Sequence, residues 1–270
     1  MACAVQPSMP KHQDAPVTST TGSLRPTVNL ALQGGGSHGA FTWGVLDAIL
    51  EDGRIDLEGV SGTSAGAINA VALAQGFSQV KAPTHSAEAR AAARAALANI
   101  WKGVERLGSL GALTQGLMRI LLGNWPGEQA GAHFFGNAMS QWFSPYQSNP
   151  LDINPLRRLL EEQIDFENLA KLAHPKVFVS ATHVKTGRAE IFTGKRLTPA
   201  AVMASACLPM VFQAVEIEGE HYWDGGFSGN PSLLPLINAC ASRDIVLVQI
   251  NPLKREHTPQ TPQDIMDRVN

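Results

Sequence analysis

Apolar residues along the chain change their spacing several times, and each change marks an element. Val28 to Leu32 is a short, mostly apolar run of strand length. Beyond the glycines that follow it, apolar residues recur at Phe41, Val45, Leu46, Ile49 and Leu50, the spacing of one helix face. Leu57 to Val60 has strand character, and Ala67 to Ala74 is a run of good helix formers. Ser86 to Leu107 is alanine-rich and strongly helical. Asn154 caps a helix that begins at Pro155 and runs through Ile164. Lys176 to Val184 and Ala189 to Thr193 read as strands joined by a turn at Lys185 to Arg188. Thr198-Pro199 opens another helix, which ends before Leu208-Pro209. Val215, Ile217 and Tyr222 suggest a hairpin around Glu218-Gly219-Glu220, and Asp244 to Ile250 reads as a final buried strand.

The junctions between these elements carry the chemistry. Gly34-Gly35-Gly36 separates the first strand from the first helix. Such a loop aims backbone N–H groups at a helix N-terminus, where an anion is favoured. The anion could be a phosphate or the oxyanion of an acyl-transfer intermediate. A P-loop would need a lysine after the loop, and none follows. The dinucleotide spacing Gly-x-Gly-x-x-Gly fits formally from Gly34 to Gly39, with Asp56 and Glu58 about 20 residues on. On its own, then, the loop leaves both readings open.

The second junction narrows the choice. Gly62-Thr63-Ser64-Ala65-Gly66 matches Gly-x-Ser-x-Gly between a strand and a helix, the setting that a nucleophile elbow requires. Its glycines leave room for a sharp turn, and Ser64 then stands at a helix N-terminus. Late in the chain comes Asp224-Gly225-Gly226. An isolated Asp-Gly is usually a turn, but beside a serine that needs a base Asp224 is a candidate partner.

Together these stretches resemble the patatin-like phospholipase family. The order is a Gly-Gly-Gly-x-x-Gly loop, a Gly-x-Ser-x-Gly nucleophile and a late Asp-Gly-Gly; "SACLPMVFQAVEIEGEHYWDGG" also looks like the stretch before the family's aspartate. The resemblance spans roughly Val28 to Pro252. It implies an α/β fold in three layers, a largely parallel sheet with helices on both faces. The activity it implies is hydrolysis of lipid acyl esters by a serine–aspartate dyad. Ser64 falls on the nucleophile, Asp224 on the base, and Gly34, Gly35 and Gly36 on the oxyanion glycines, with Ala65 as a further donor. No cofactor or metal is implied. His38 departs from the pattern: the family usually has Lys or Arg there, so a permanent cation becomes a group that titrates near neutrality.

Composition adds bounds. The 270 residues, 44% of them hydrophobic, suffice for one large α/β domain. The formal net charge is −2, and no basic stretch points to nucleic acid. Three widely spaced cysteines, Cys3, Cys207 and Cys240, suggest neither a disulfide framework nor a metal site and fit a reducing compartment. No apolar run reaches the roughly 18 residues of a membrane span. The expected location is the cytoplasm or a membrane surface, with secretion lacking an N-terminal signal left open.

Residues 1–26 are polar and rich in Ser, Thr and Pro, which reads as a disordered tail before a catalytic domain at 27–252. Residues 253–270 read as a tail or the start of a further helix. Residues 110–146 combine apolar and aromatic side chains with many glycines. Two readings compete there: helices packed on the sheet, or a lid that contacts lipid.

Of eight histidines only His257 follows Asp224, the chain order of an ordinary Ser-Asp-His triad, and it lies in a polar, Pro-rich stretch. A conventional esterase is therefore the alternative enzyme. A catalytically weak lipid-binding protein on the same scaffold is the alternative of another class. A nucleotide-binding oxidoreductase ranks last, because it leaves Ser64 and Asp224 without a role. Head-group preference and oligomeric state are not written in the sequence.

Overall fold

The computed structural model describes residues 25–109, 145–148, 152, 154–209, 211–254 and 257–260. Nearly all of the predicted N-terminal tail, the lid region apart from 145–146, and residues 261–270 lie outside the described residues.

Side-chain alternation sets the sheet. Strand β1 (Thr27–Leu32) buries five of its six residues. Leu30 and Leu32 face the main core, while Ala31 between them joins Phe178 and Leu236 on the opposite face. Strand β3 (Lys176–His183) repeats the pattern, with Val177, Val179 and Ala181 toward the main core and Phe178 away from it. The other strands are β2 (Asp56–Thr63), β4 (Ala189–Phe192), β5 (Val215–Ile217), β6 (Glu220–Asp224) and β7 (Ile245–Val248). Hydrogen-bonded neighbours run β5-β6-β3-β2-β1-β7, and β4 pairs with β3. β7, β1, β2 and β3 are mutually parallel; β4, β5 and β6 are antiparallel to their neighbours.

The register around β3 positions the site. β2 pairs with β3 up to Thr63 opposite Ser180. β6 pairs with the next stretch, Asp224 opposite Ala181 through Tyr222 opposite His183. Because Val179 to Thr182 also pair with β4 on their other side, β2 and β6 follow one another along the same flank of β3. The two strands run toward each other. The residue after β2 is Ser64, and the last residue of β6 is Asp224.

Helices cover both faces of the sheet. Helix α1 (Gly39–Asp52) and helix α2 (Ala65–Ser78) pack on the main-core face, and α2 is buried from Ala65 to Phe77. Its small residues let α3 (Ala87–Ser109) approach so closely that a Cβ on Gly76 would clash with the Ala93 backbone. Then follow α4 (Pro145–Ser148), α5 (Pro155–Gln163), α6 (Phe166–Leu169) and α7 (Pro199–Ser205). The predicted cap is in place, Asn154 accepting from Leu156 N–H at 3.1 Å, and Thr198 caps α7 in the same way, accepting from Ala201 N–H at 3.2 Å. On the opposite face α8 (Leu234–Ala239) seats Leu236 against Ala31 and Phe178.

Two expectations need revision. β2 is longer than the apolar run Leu57 to Val60, because Ser61 and Gly62 continue its pairing with both neighbours and Thr63 its pairing with β3. Among the described residues the final strand is an edge rather than a buried strand: Val246 is 39% and Leu247 47% exposed. An all-apolar run does not distinguish the centre of a sheet from its border. Among the described residues no helix is long and apolar enough to cross a membrane.

Candidate active site

Ser64 sits at the N-cap of α2 with φ 54° and ψ −122°. A non-glycine residue at positive φ carries strain of about 1–3 kcal/mol and persists only where its surroundings hold it. Those surroundings are visible. A Cβ on Gly66 would run into the Leu32 carbonyl, so glycine lets the helix start press against the end of β1. The Ser64 N–H donates to Ser205 Oγ at 2.9 Å, and Ser205 Oγ donates to the Ser180 carbonyl at 2.6 Å. Ser205, fully buried on α7, thus ties the elbow to β3. Ser64 is half-buried, on a backbone that is both strained and braced.

Asp224 arrives from the opposite direction and is 3% exposed. Its backbone N–H donates to the Cys207 carbonyl at 2.8 Å, and its carbonyl accepts from Thr182 Oγ1 at 2.8 Å. One carboxylate oxygen, Oδ1, accepts from Gly226 N–H at 2.8 Å. Oδ2 is buried and makes no hydrogen bond of normal geometry among the described residues. Burial pushes the carboxyl up to about 6, while the Gly226 N–H and then the neighbouring Ser64 hydroxyl pull it part of the way back. The arrangement is a desolvated carboxylate with one oxygen held by the Gly226 N–H and the Ser64 hydroxyl close by.

The glycine loop closes over this pair. A Cβ on Gly34 would lie 2.6 Å from the Thr63 carbonyl oxygen and 2.7 Å from Ser64 Cβ, so glycine is what allows the loop to reach the nucleophile. Not all three glycines have a free N–H. Gly34 N–H donates to Asn230 Oδ1 at 2.6 Å, which removes it from the expected set of oxyanion donors. Gly35 and Gly36 N–H have no partner among the described residues, and Ala65 N–H lies in the first turn of α2. His38 is exposed. Its backbone N–H donates to the Gly35 carbonyl at 3.1 Å, and the tautomer with the proton on Nδ1 donates there too, also at 3.1 Å.

Two residues of this site, Ser205 and Asn230, were not singled out from the sequence. Ser205 stands in the "SACLPM" stretch and Asn230 six positions beyond Asp224. Their only signal was proximity to family-like motifs. Among the described residues no histidine bonds to Ser64 or Asp224; His257 is exposed, and His12 and His133 lie outside the described residues. Cys207 is buried next to the site, but its Sγ donates to the Gln213 carbonyl and burial pushes its thiol up to about 12, which keeps it protonated.

Comparisons with known proteins bear on this geometry. The family model described as patatin-like phospholipase matches residues 30–237, a span that contains the glycine loop, Ser64 and Asp224. A comparison with curated proteins finds no match. Among solved structures, VipD from Legionella pneumophila is similar at 19% identity and a TM-score of 0.40, over 82% of this chain and 49% of that one. This chain thus spans about half of that protein's length.

Proposed function

From the premise that the chain belongs to the patatin-like phospholipase family, a family of lipid acyl hydrolases, we propose that it cleaves carboxylic esters of phospholipids, lysophospholipids or related lipids through a Ser64–Asp224 dyad. Ser64 Oγ attacks the acyl carbonyl. Its proton passes to the Asp224 carboxylate as the C–O bond forms, since a carboxylate is too weak a base to remove it beforehand. The tetrahedral oxyanion is received by the N–H groups of Gly35 and Gly36 with Ala65, at the positive end of α2. Asp224 returns the proton to the leaving oxygen. A water then repeats the sequence on the acyl-enzyme and frees Ser64.

The observation that carries this reading is the convergence of β2 and β6 along one flank of β3, which puts a strained serine beside a carboxyl raised to about 6 by burial. A raised value brings the base closer to the working pH while leaving it ionised at neutrality. The test is turnover of p-nitrophenyl esters of graded chain length, then of phospholipids and lysophospholipids, by wild type and Ser64→Ala. Turnover that requires Ser64 and extends to lipid substrates is expected. Undiminished turnover in the mutant would remove the mechanism, and failure on every lipid would remove the substrate class.

A further inference from the structure

Asn230 makes a reciprocal pair with one residue of the glycine loop. Its Oδ1 accepts from Gly34 N–H at 2.6 Å, and its Nδ2 donates to the Gly34 carbonyl at 3.2 Å. The second bond has a consequence through peptide geometry. The Gly34 carbonyl belongs to the same planar, trans peptide as the Gly35 N–H, so the two point in opposite directions. Holding the carbonyl toward Asn230 turns the Gly35 N–H away from it. The next peptide is held in the same manner, because the Gly35 carbonyl accepts from His38 and leaves the Gly36 N–H facing the other way.

Asn230 is itself fixed by the segment that carries the base. Ser228 and Gly229 N–H both donate to the Gly225 carbonyl, at 3.0 and 2.9 Å, closing the turn that follows Asp224. Thr63 Oγ1, one residue before the nucleophile, donates to the Gly229 carbonyl at 3.1 Å. Ser61 Oγ donates to the Ser232 carbonyl at 2.6 Å. Residues 229–232 therefore touch the nucleophile strand, the base turn and the glycine loop together. Gln33 completes the brace from the other side, accepting from Ile250 and Asn251 N–H at 2.7 and 2.8 Å with Oε1.

We infer that Asn230 is a positioning residue: by gripping both polar groups of Gly34 it aims the Gly35 N–H at the oxyanion and ties that donor to the segment bearing Asp224. The inference rests on the ester-hydrolase reading. Asn230 touches no substrate in this role. Its contribution is realised when negative charge develops on the acyl oxygen, so it acts on the rate of the chemical step and leaves ground-state binding almost alone. A misplacement of about 1 Å at such a donor costs on the order of 10²-fold in rate.

The test uses the full chain as wild type, Asn230→Ala, Asn230→Asp and Asn230→Ser. Three quantities are read: kcat and KM on a soluble p-nitrophenyl ester, inhibition by a trifluoromethyl ketone that forms a tetrahedral oxyanion on serine, and Tm. Asn230→Asp keeps an acceptor for the Gly34 N–H, loses the donor to the Gly34 carbonyl and adds a carboxylate charge, so the neutral Asn230→Ser is measured beside it. The expected result is a fall in kcat of about 10- to 100-fold in all the variants, with KM within about 3-fold and ketone affinity falling in parallel with kcat. Asn230→Asp with wild-type kcat and ketone affinity would overturn the inference. So would losses confined to Tm and KM, which is what a merely structural side chain predicts. Should Asn230→Ala not fold, the neutral Asn230→Ser decides in its place, since the added charge of Asn230→Asp would by itself oppose the oxyanion. A wild type that hydrolyses no ester overturns the hydrolase reading and this inference with it, whereas an active wild type with unimpaired variants overturns the inference only.

Discussion

Ser64 and Asp224 end two strands of one sheet that were built in different ways. β2 belongs to the parallel half, flanked by β1 and β3, and delivers Ser64 upward into a helix start. β6 belongs to the antiparallel half and delivers Asp224 downward onto the same flank of β3. The serine side stores strain in its backbone and is partly open to solvent. The aspartate side has relaxed strand geometry but stores the cost of a buried charge. In the proposed mechanism one half supplies the hydroxyl and the other the basic carboxylate, and neither half performs acyl transfer alone.

The largest expected effect breaks the aspartate side. Asp224→Asn keeps the shape and removes the proposed proton acceptor, so kcat/KM should fall on the order of 10³-fold or more. Stability should move the other way. The folded Asp224 carboxyl titrates at about 6, above its ordinary value of 3.8. Stability from this group is therefore full below about 3.8 and is lost as pH rises through about 6, an amount on the order of 3 kcal/mol. Asp224→Asn should accordingly melt a few degrees higher than wild type at pH 8 and no higher at pH 4. A variant melting lower than wild type at pH 8 would contradict a net cost of the buried charge.

A smaller effect breaks the serine side. Gly34→Ala places a methyl group against Thr63 O and Ser64 Cβ, both under 3 Å away. The glycine loop must then lift from the nucleophile, and kcat should drop about 10²-fold with a stability loss of about 1–3 kcal/mol. Crystallography of the variant checks the displacement. An unmoved loop with full activity would mean that the close approach is incidental.

The smallest effect sharpens the comparison. His38→Ala removes one of two donors to the Gly35 carbonyl and leaves the backbone N–H in place. Esterase activity should change by less than about 3-fold, measured across pH 5 to 9. A larger, pH-dependent change would assign the imidazole a direct electrostatic part, as the family's cation at this position suggests.

The two halves also differ in how legible they were. The elbow obeys local steric rules, so Gly62, Ser64 and Gly66 between a strand and a helix announced it. Asp224 was visible only through the family motif, because an Asp-Gly pair is an ordinary turn by itself. Its burial depends on β6 finding β3, a pairing that no local pattern encodes. Asn230 and Ser205 act on partners 196 and 141 residues away, and a serine in a helix or an asparagine before proline has many commoner uses. The exposed edge of β7 was hidden for a related reason: Ile245 to Val248 is apolar throughout, and only the arrangement of its neighbours shows that one side has no partner strand among the described residues.

The claim that joins both halves is that Asp224 takes the proton of Ser64 without a histidine between them. It is tested most directly by the rate at which a fluorophosphonate labels Ser64 as a function of pH, in wild type and in His257→Ala. The account predicts a rate that rises with pH through an apparent pKa near 6, as the Asp224 carboxylate forms, and a superimposable curve for His257→Ala. A folded His257→Ala that labels at a small fraction of the wild-type rate, or that loses the rising limb, would contradict the dyad and assign the base to His257.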